Sequence, residues 1–274
     1  MTTEDQDANA SADQNSATQR TFSLILAYDG TRYGGWQRQK NSLAIQECLE
    51  KALASALGST TKTVASGRTD SGVHAFGQVV RFRTSNWRHE AYKLVPTINR
   101  YMPRDMAVQE VREMVTTFNP IRDATSKSYR YTIRSSKSPD PFDDRVAWYI
   151  PRRLDYELLE KSARYLVGTH DFVSFERLGS PRITTVRNMM RLDVHRSPAR
   201  FGTYIHLDFE ADGFLYNMVR NISGTLVSIA TRGLPAETIL EILLAKNRKL
   251  SAQNAPACGL CLMYVNYPDS VYLQ

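Results

Sequence analysis

Apolar residues along the chain fall into runs whose spacing switches between the two-residue period of a strand and the 3.6-residue period of a helix. Residues 22–28, FSLILAY, form a nearly continuous apolar run that closes at Asp29-Gly30, which predicts a buried strand and a turn. Ile45, Leu49, Ala52, Leu53 and Ala56 recur at helical spacing, so an amphipathic helix is expected over 43–57, stopping at Gly58. A short strand follows at 63–65. Over 78–84 Val80 and Phe82 face one way and Val79, Arg81 and Arg83 the other, a strand with a basic face. A helix at 93–102, with Pro96 tolerated in its first turn, leads to a strand at 106–114.

The same grammar returns in the second half. The strand expected at 127–134 sets Tyr129, Tyr131 and Ile133 against Arg130, Thr132 and Arg134. Asp155 caps a helix carrying Leu158, Leu159, Ser162 and Leu166 that ends at Gly168. Residues 168–175, GTHDFVSF, are expected to be a polar loop entering an apolar segment. Strands at 186–195 and 202–210, helices at 214–231 and 235–244 and a strand at 260–265 complete the pattern. Strands interrupted by occasional helices indicate an α+β chain on a largely antiparallel sheet. The economical arrangement is two βαββαβ subdomains, ferredoxin-like or RRM-like, over 20–117 and 118–274, with a basic central cleft. Residues 1–19 hold no large apolar residue beyond the initiator Met and cannot offset their ordering entropy, which predicts a disordered acidic tail.

The formal net charge of +7 divides unevenly. Glu4, Asp5, Asp7 and Asp13 put −4 on the tail, leaving +11 on the rest. A body that basic suits a polyanionic partner, most commonly nucleic acid. Three cysteines, Cys48, Cys258 and Cys261, are too few for a disulfide framework and point to a reducing compartment, by default the cytoplasm. Cys258 and Cys261 have neither a second pair nor a nearby His to complete a metal site, so both are expected to be packing residues. No apolar run approaches the roughly 20 residues of a membrane span.

Chemistry concentrates in residues 66–77, SGRTDSGVHAFG, where Asp70 lies among Gly67, Gly72 and Gly77 and two positions after Arg68. Such glycine density describes a shaped loop that can present a carboxylate, or a turn in which Asp70 only binds a backbone N–H. The loop 31–39, TRYGGWQRQ, interleaves Arg32, Tyr33, Trp36 and Arg38 with glycines, which suits phosphate contacts and base stacking or, equally, a turn covering the core. Together GRTDSGVHA, YDGTRYGGWQRQ (28–39), KSYRYTI (127–133), GTHDFVSF (168–175) and MVRNISGTL (218–226) resemble the tRNA pseudouridine synthases of the TruA type. The resemblance covers residues 21–267, with the motifs in family order.

That resemblance implies isomerisation of uridine to pseudouridine in the anticodon stem-loop of tRNA, at positions 38, 39 and 40, by a homodimer. By its motif, Asp70 matches the nucleophile, Tyr129 the ring that stacks on the target uracil, Arg220 the partner of the carboxylate, and Arg68 a residue that helps hold the flipped nucleotide. The N1–C1′ bond must break, the uracil rotate and C5 bond to the sugar. Nothing is gained or lost overall, so no cofactor, ATP or metal is expected. Extruding the base costs a few kcal/mol, of which stacking on Tyr129 returns roughly 1–3 kcal/mol. Arg32, Arg38, Arg81 and Arg83 are candidate phosphate contacts, and His74 is expected to play a structural hydrogen-bonding role. The run FNPIRDAT (118–125) departs from the family's Phe-His-Ala-Arg-like run, with Asn119 in place of His and Arg122 one position later, and Ser71 stands where alanine is more usual. Two rivals differ in what they require. A catalytically silent tRNA-binding protein or RNA chaperone needs no carboxylate facing phosphate, and a nucleoside glycosidase usually needs a second acid, which the loop lacks.

Overall fold

The computed structural model describes residues 19–177 and 184–273, so the tail expected over 1–19 lies outside the described residues apart from Gln19. In chain order the elements are β1 (Arg20–Tyr28), α1 (Ile45–Leu57), β2 (Thr63–Ala65), β3 (His74–Thr84), α2 (Leu94–Asn99), β4 (Met106–Met114) and β5 (Ser126–Ser135). They continue as β6 (Trp148–Ile150), α3 (Tyr156–Arg164), β7 (Gly168–Asp171), β8 (Val186–Pro198), β9 (Thr203–Ala211), α4 (Met218–Arg232), α5 (Thr238–Leu244) and β10 (Leu260–Asn266). This is a mixed α+β fold on one open sheet, ordered β4-β1-β3-β10-β5-β9-β8-β7, with β2 added to β3 and β6 to β5. Pairing is antiparallel except between β10 and β3 and between β5 and β6.

Local chemistry sets the helix limits. Gly58, at φ +68°, takes the left-handed conformation that closes α1 and donates its N–H to Ala54 O. Asp155 caps α3 by accepting the Leu158 N–H at 3.0 Å. The helix expected at 93–102 is only six residues of α2 behind a 3-10 turn. Asn99 ends it by exchanging two hydrogen bonds with the Val108 backbone, each 2.8 Å, which ties the helix end to β4.

Two apolar clusters lie on the sheet. In the first, Phe22, Leu24 and Leu26 of β1 pack against Ile45, Leu49 and Leu53 of α1. In the second, Tyr131 and Ile133 of β5 meet Leu159 of α3 and Ile222 and Leu226 of α4. The last strand joins them, giving Leu260 to the second cluster and Leu262 and Val265 to the first. The chain then runs on past β4, where Val271 enters the first cluster.

Further expectations change. GTHD (168–171) is strand β7 on the sheet edge rather than loop, held by β8, and β6 is a further short strand without its own periodic signal. The helix expected from 214 begins at Met218. The cationic face of β5 is neutralised. Arg134 is almost fully buried, 1% exposed, and pairs with Asp143 at 2.9 Å, while Arg130 binds Asp208 through two bonds of 2.7 and 2.8 Å. Buried guanidinium groups need such partners because desolvation otherwise outweighs what the fold gains. No helix among the described residues is long and apolar enough to cross a membrane.

Candidate active site

The loop between β2 and β3 carries Asp70, and the loop after β1 holds it from behind. Trp36 N–H donates to Thr69 O at 3.0 Å, Ser71 Oγ to Tyr33 O at 3.1 Å, and Tyr28 and Thr69 share a hydroxyl bond of 2.8 Å. The close approach depends on Gly35, whose φ is +100° and where a Cβ would lie 2.7 Å from Thr69 O. Gly30 N–H donates to His74 Nδ1 at 3.1 Å, so His74 fastens the far end of the loop. Ser66 Oγ donates to Gln78 Oε1 and Gln78 Nε2 to Gly67 O, closing the near end. Asp70 therefore projects from a loop whose backbone is tied on both sides.

Arg220 reaches the carboxylate from the first turn of α4. Its Nη1 lies 3.3 Å from Asp70 Oδ2 and 3.2 Å from Asn217 Oδ1, and its Nε donates to Ala255 O at 2.8 Å. Asn217, at φ +62°, turns the chain sharply into the helix, which is why α4 starts later than its apolar periodicity suggests. Burial pushes the Asp70 carboxyl above the usual carboxylate range, against the pull of Arg220 and of Arg177. Desolvation is thus the larger effect, and Arg220 limits it.

Tyr129 stands on β5 with its ring edge-on to Phe214, centroids 5.1 Å apart. Burial raises its phenol above the usual range, so the ring faces the site neutral. Arg68, Asp70, Tyr129 and Arg220 line one cavity of about 720 Å³, within the size range of small-molecule sites. Arg68 is exposed at its rim and makes no hydrogen bond or ion pair among the described residues. All four residues singled out from the sequence meet here.

The candidate phosphate contacts are less free than expected. Arg32 binds Asp105, Arg38 binds Glu50, and Arg81 and Arg83 donate to Phe118 O and Thr116 O. Trp36 also borders the cavity but is 2% exposed, so its main contact is with the core. In the divergent run 118–125, Asn119 Oδ1 accepts the Ile121 and Arg122 N–H groups and Arg122 pairs with Asp123, making a turn that Arg81 and Tyr267 tie to the rest of the fold through Phe118 O and Pro120 O. Phe214, Tyr216 and Asn217 are cavity residues that sequence periodicity missed, because it continued the helix across them. An asparagine just before a helical run, able to adopt positive φ, was the available signal.

Comparisons with known proteins identify the family. A family model described as tRNA pseudouridine synthase matches residues 24–119 and 162–268. A tRNA pseudouridine synthase A of Geotalea daltonii is 39% identical over 254 residues, 90% of this chain and all of the relative. One of Chlamydia abortus is 38% identical over 247 residues, 89% of this chain and 91% of the relative, and one of Thermoanaerobacter sp. 36% identical over 248 residues, 90% and 100%. With a family model matching most of the chain and relatives of that identity covering about nine-tenths of it, the chain belongs to the tRNA pseudouridine synthase family.

Proposed function

We propose that this protein isomerises uridine to pseudouridine in the anticodon stem-loop of tRNA, at positions 38, 39 and 40, with Asp70 as nucleophile and without a cofactor. The observation that carries the residue roles is the Asp70–Arg220 pair at 3.3 Å in a cavity that Tyr129 also lines, with Arg68 unengaged at the rim. The uridine leaves its stack and its uracil lies on Tyr129, while Arg68 helps hold the flipped nucleotide. The Asp70 carboxylate, partly stripped of water, assists cleavage of the N1–C1′ bond. The freed uracil rotates, C5 bonds to C1′, the C5 proton departs and N1 takes up a proton. Arg220 keeps the carboxylate ionised against its burial.

The division into subdomains over 20–117 and 118–274 is supported by the two apolar clusters, with β10 bridging them and the cavity opening at their junction. Arg68, Arg177 and Arg220 contribute the basic character of that cleft, and a cytoplasmic location suits its three free cysteines. Across the sheet, a second cavity of about 540 Å³ is bordered by Phe76, 65% exposed, and Val146, 51% exposed. Apolar surface of that kind supports a homodimer in which a second copy covers it.

The test is to incubate the protein with tRNA tritiated at uracil C5, without metal or ATP. Tritium release with intact RNA is expected, and Asp70→Asn abolishes it while leaving tRNA affinity within several-fold. Free uracil would identify a glycosidase, and no release from the wild type a binding protein.

A further inference from the structure

Arg220 is aimed by a stretch of chain that gives the cavity none of its described lining residues. Its Nε donates to Ala255 O at 2.8 Å, and the Ala255 N–H returns a bond to Arg220 O at 3.1 Å. With the planar guanidinium held at Nε, the position of Ala255 O sets the direction in which Nη1 reaches Asp70 Oδ2. That carbonyl belongs to an irregular segment, 251–255, laid against α4. The Ala252 N–H donates to Thr225 Oγ1 at 3.1 Å, and Gln253 O comes so near Gly224 that an added Cβ would lie 2.2 Å from it.

Arg248 gathers this segment and ties it to the helix. Its Nη1 faces Ser251 O, Ser251 Oγ and Ala252 O at 3.3, 2.5 and 3.1 Å, while Nη2 donates to Asn221 Oδ1 at 2.7 Å, on the residue next to Arg220. Asn221 is fully buried and is fixed in turn by donating to Phe175 O at 2.6 Å. Arg248 is half-buried, makes no ion pair among the described residues, and has its guanidinium lowered from the usual range by burial. A guanidinium so placed stabilises nothing by charge pairing. What its planar fork supplies is fixed directions for several neutral acceptors at once, which a lysine ammonium does not.

We propose that Arg248 is a positioning residue for the isomerisation, holding Ala255 O where that carbonyl turns Arg220 toward Asp70. The inference rests on the reading that Arg220 keeps Asp70 ionised, and it extends that role to a residue that borders neither the carboxylate nor the cavity. Asn221 and Ala255 transmit the constraint, one along the helix and the other through its carbonyl.

The experiment measures the pH dependence of kcat/KM for tritium release from an anticodon stem-loop RNA by the full-length protein. Arg248→Met is expected to lower kcat several-fold with KM little changed, and to raise the acid limb by about 0.5–1 pH unit, part of the roughly 1–3 that an adjacent arginine is worth to a carboxylate. Arg248→Lys keeps the charge without the fork and is expected to raise the limb as well. In an Arg220→Gln background neither substitution moves the limb further, because the group they act through is gone. A lower thermal midpoint with the limb at its wild-type pH would make Arg248 a structural residue only and overturns the inference. Full recovery of the limb in Arg248→Lys overturns it too, by assigning the effect to charge, and so does a shift that adds to that of Arg220→Gln. Should Arg248→Met fail to fold, Arg248→Lys decides alone. If Arg220→Gln moves the limb and the Arg248 variants do not, the positioning role falls and the reading of Arg220 stands. If Arg220→Gln leaves the limb unmoved, the reading of Arg220 falls and takes the positioning role with it.

Discussion

Asp70 is where burial and charge oppose each other at a single residue. Burial raises its carboxyl above the usual range and Arg220 pulls it back, without full compensation. In its proposed role as nucleophile Asp70 must be ionised, so the acid limb of kcat/KM is expected to lie above the value of about 3.9 for an exposed Asp. Arg220→Gln removes the larger opposing charge and moves that limb to still higher pH, which a pH-rate profile on a minimal stem-loop checks; an unmoved limb would show that the guanidinium does not act on the carboxylate. The same shift sets a stability relation. A carboxyl whose folded pKa exceeds its unfolded pKa costs stability once ionised, and the cost disappears below the unfolded value. Asp70→Asn is therefore expected to raise the thermal midpoint at pH 7 and to match the wild type near pH 3, while losing turnover. In the stacking role proposed for Tyr129 the ring matters more than the hydroxyl. Tyr129→Phe should keep kcat/KM within several-fold, whereas Tyr129→Leu forfeits stacking of about 1–3 kcal/mol, or roughly 5- to 150-fold.

Among the elements, the start of α4 most directly shapes the site. Asn217 holds φ at +62° and its Oδ1 accepts from Arg220, so one residue both turns the chain and orients the guanidinium. Asn217→Gly relieves the backbone and removes only the hydrogen bond, and is expected to lower kcat at an unchanged denaturant midpoint. Asn217→Ala puts an ordinary side chain in the left-handed region at a cost of about 1–2 kcal/mol and should lower both. Equal midpoints for the two variants would exclude backbone strain as the difference. The strong helices were legible in the sequence because their apolar faces are what they bury, as Ile45, Leu49 and Leu53 show. The start of α4 was not, because Leu215 continues the apolar period while being buried from a turn. Strand β7 was missed for a related reason, since the polar GTHD owes its extended form to pairing with β8.

On the scale of the whole molecule, β10 is the central strand of a sheet begun some 240 residues earlier in the chain, parallel to β3 and antiparallel to β5. Because it gives Leu262 to one cluster and Leu260 to the other, the two halves are expected to unfold as one unit. Leu262→Ala should cost about 2–5 kcal/mol and reduce amide-exchange protection in β1 and β9 together. Loosening confined to β1 would mean that the halves open separately. The sequence by itself determined the alternation of helix and strand, the glycine-shaped loop around Asp70 and the residue types its chemistry needs, since these depend on local periodicity, permitted φ values and side-chain functional groups. The resemblance already paired Arg220 with Asp70; only the tertiary structure decided that the two, 150 residues apart, lie 3.3 Å from each other, that burial outweighs that arginine in setting the carboxyl's acidity, and that Arg130 and Arg134 are neutralised by Asp208 and Asp143. Strand order and desolvation arise where distant segments cross, and nothing in the spacing of neighbouring residues specifies which segments will meet.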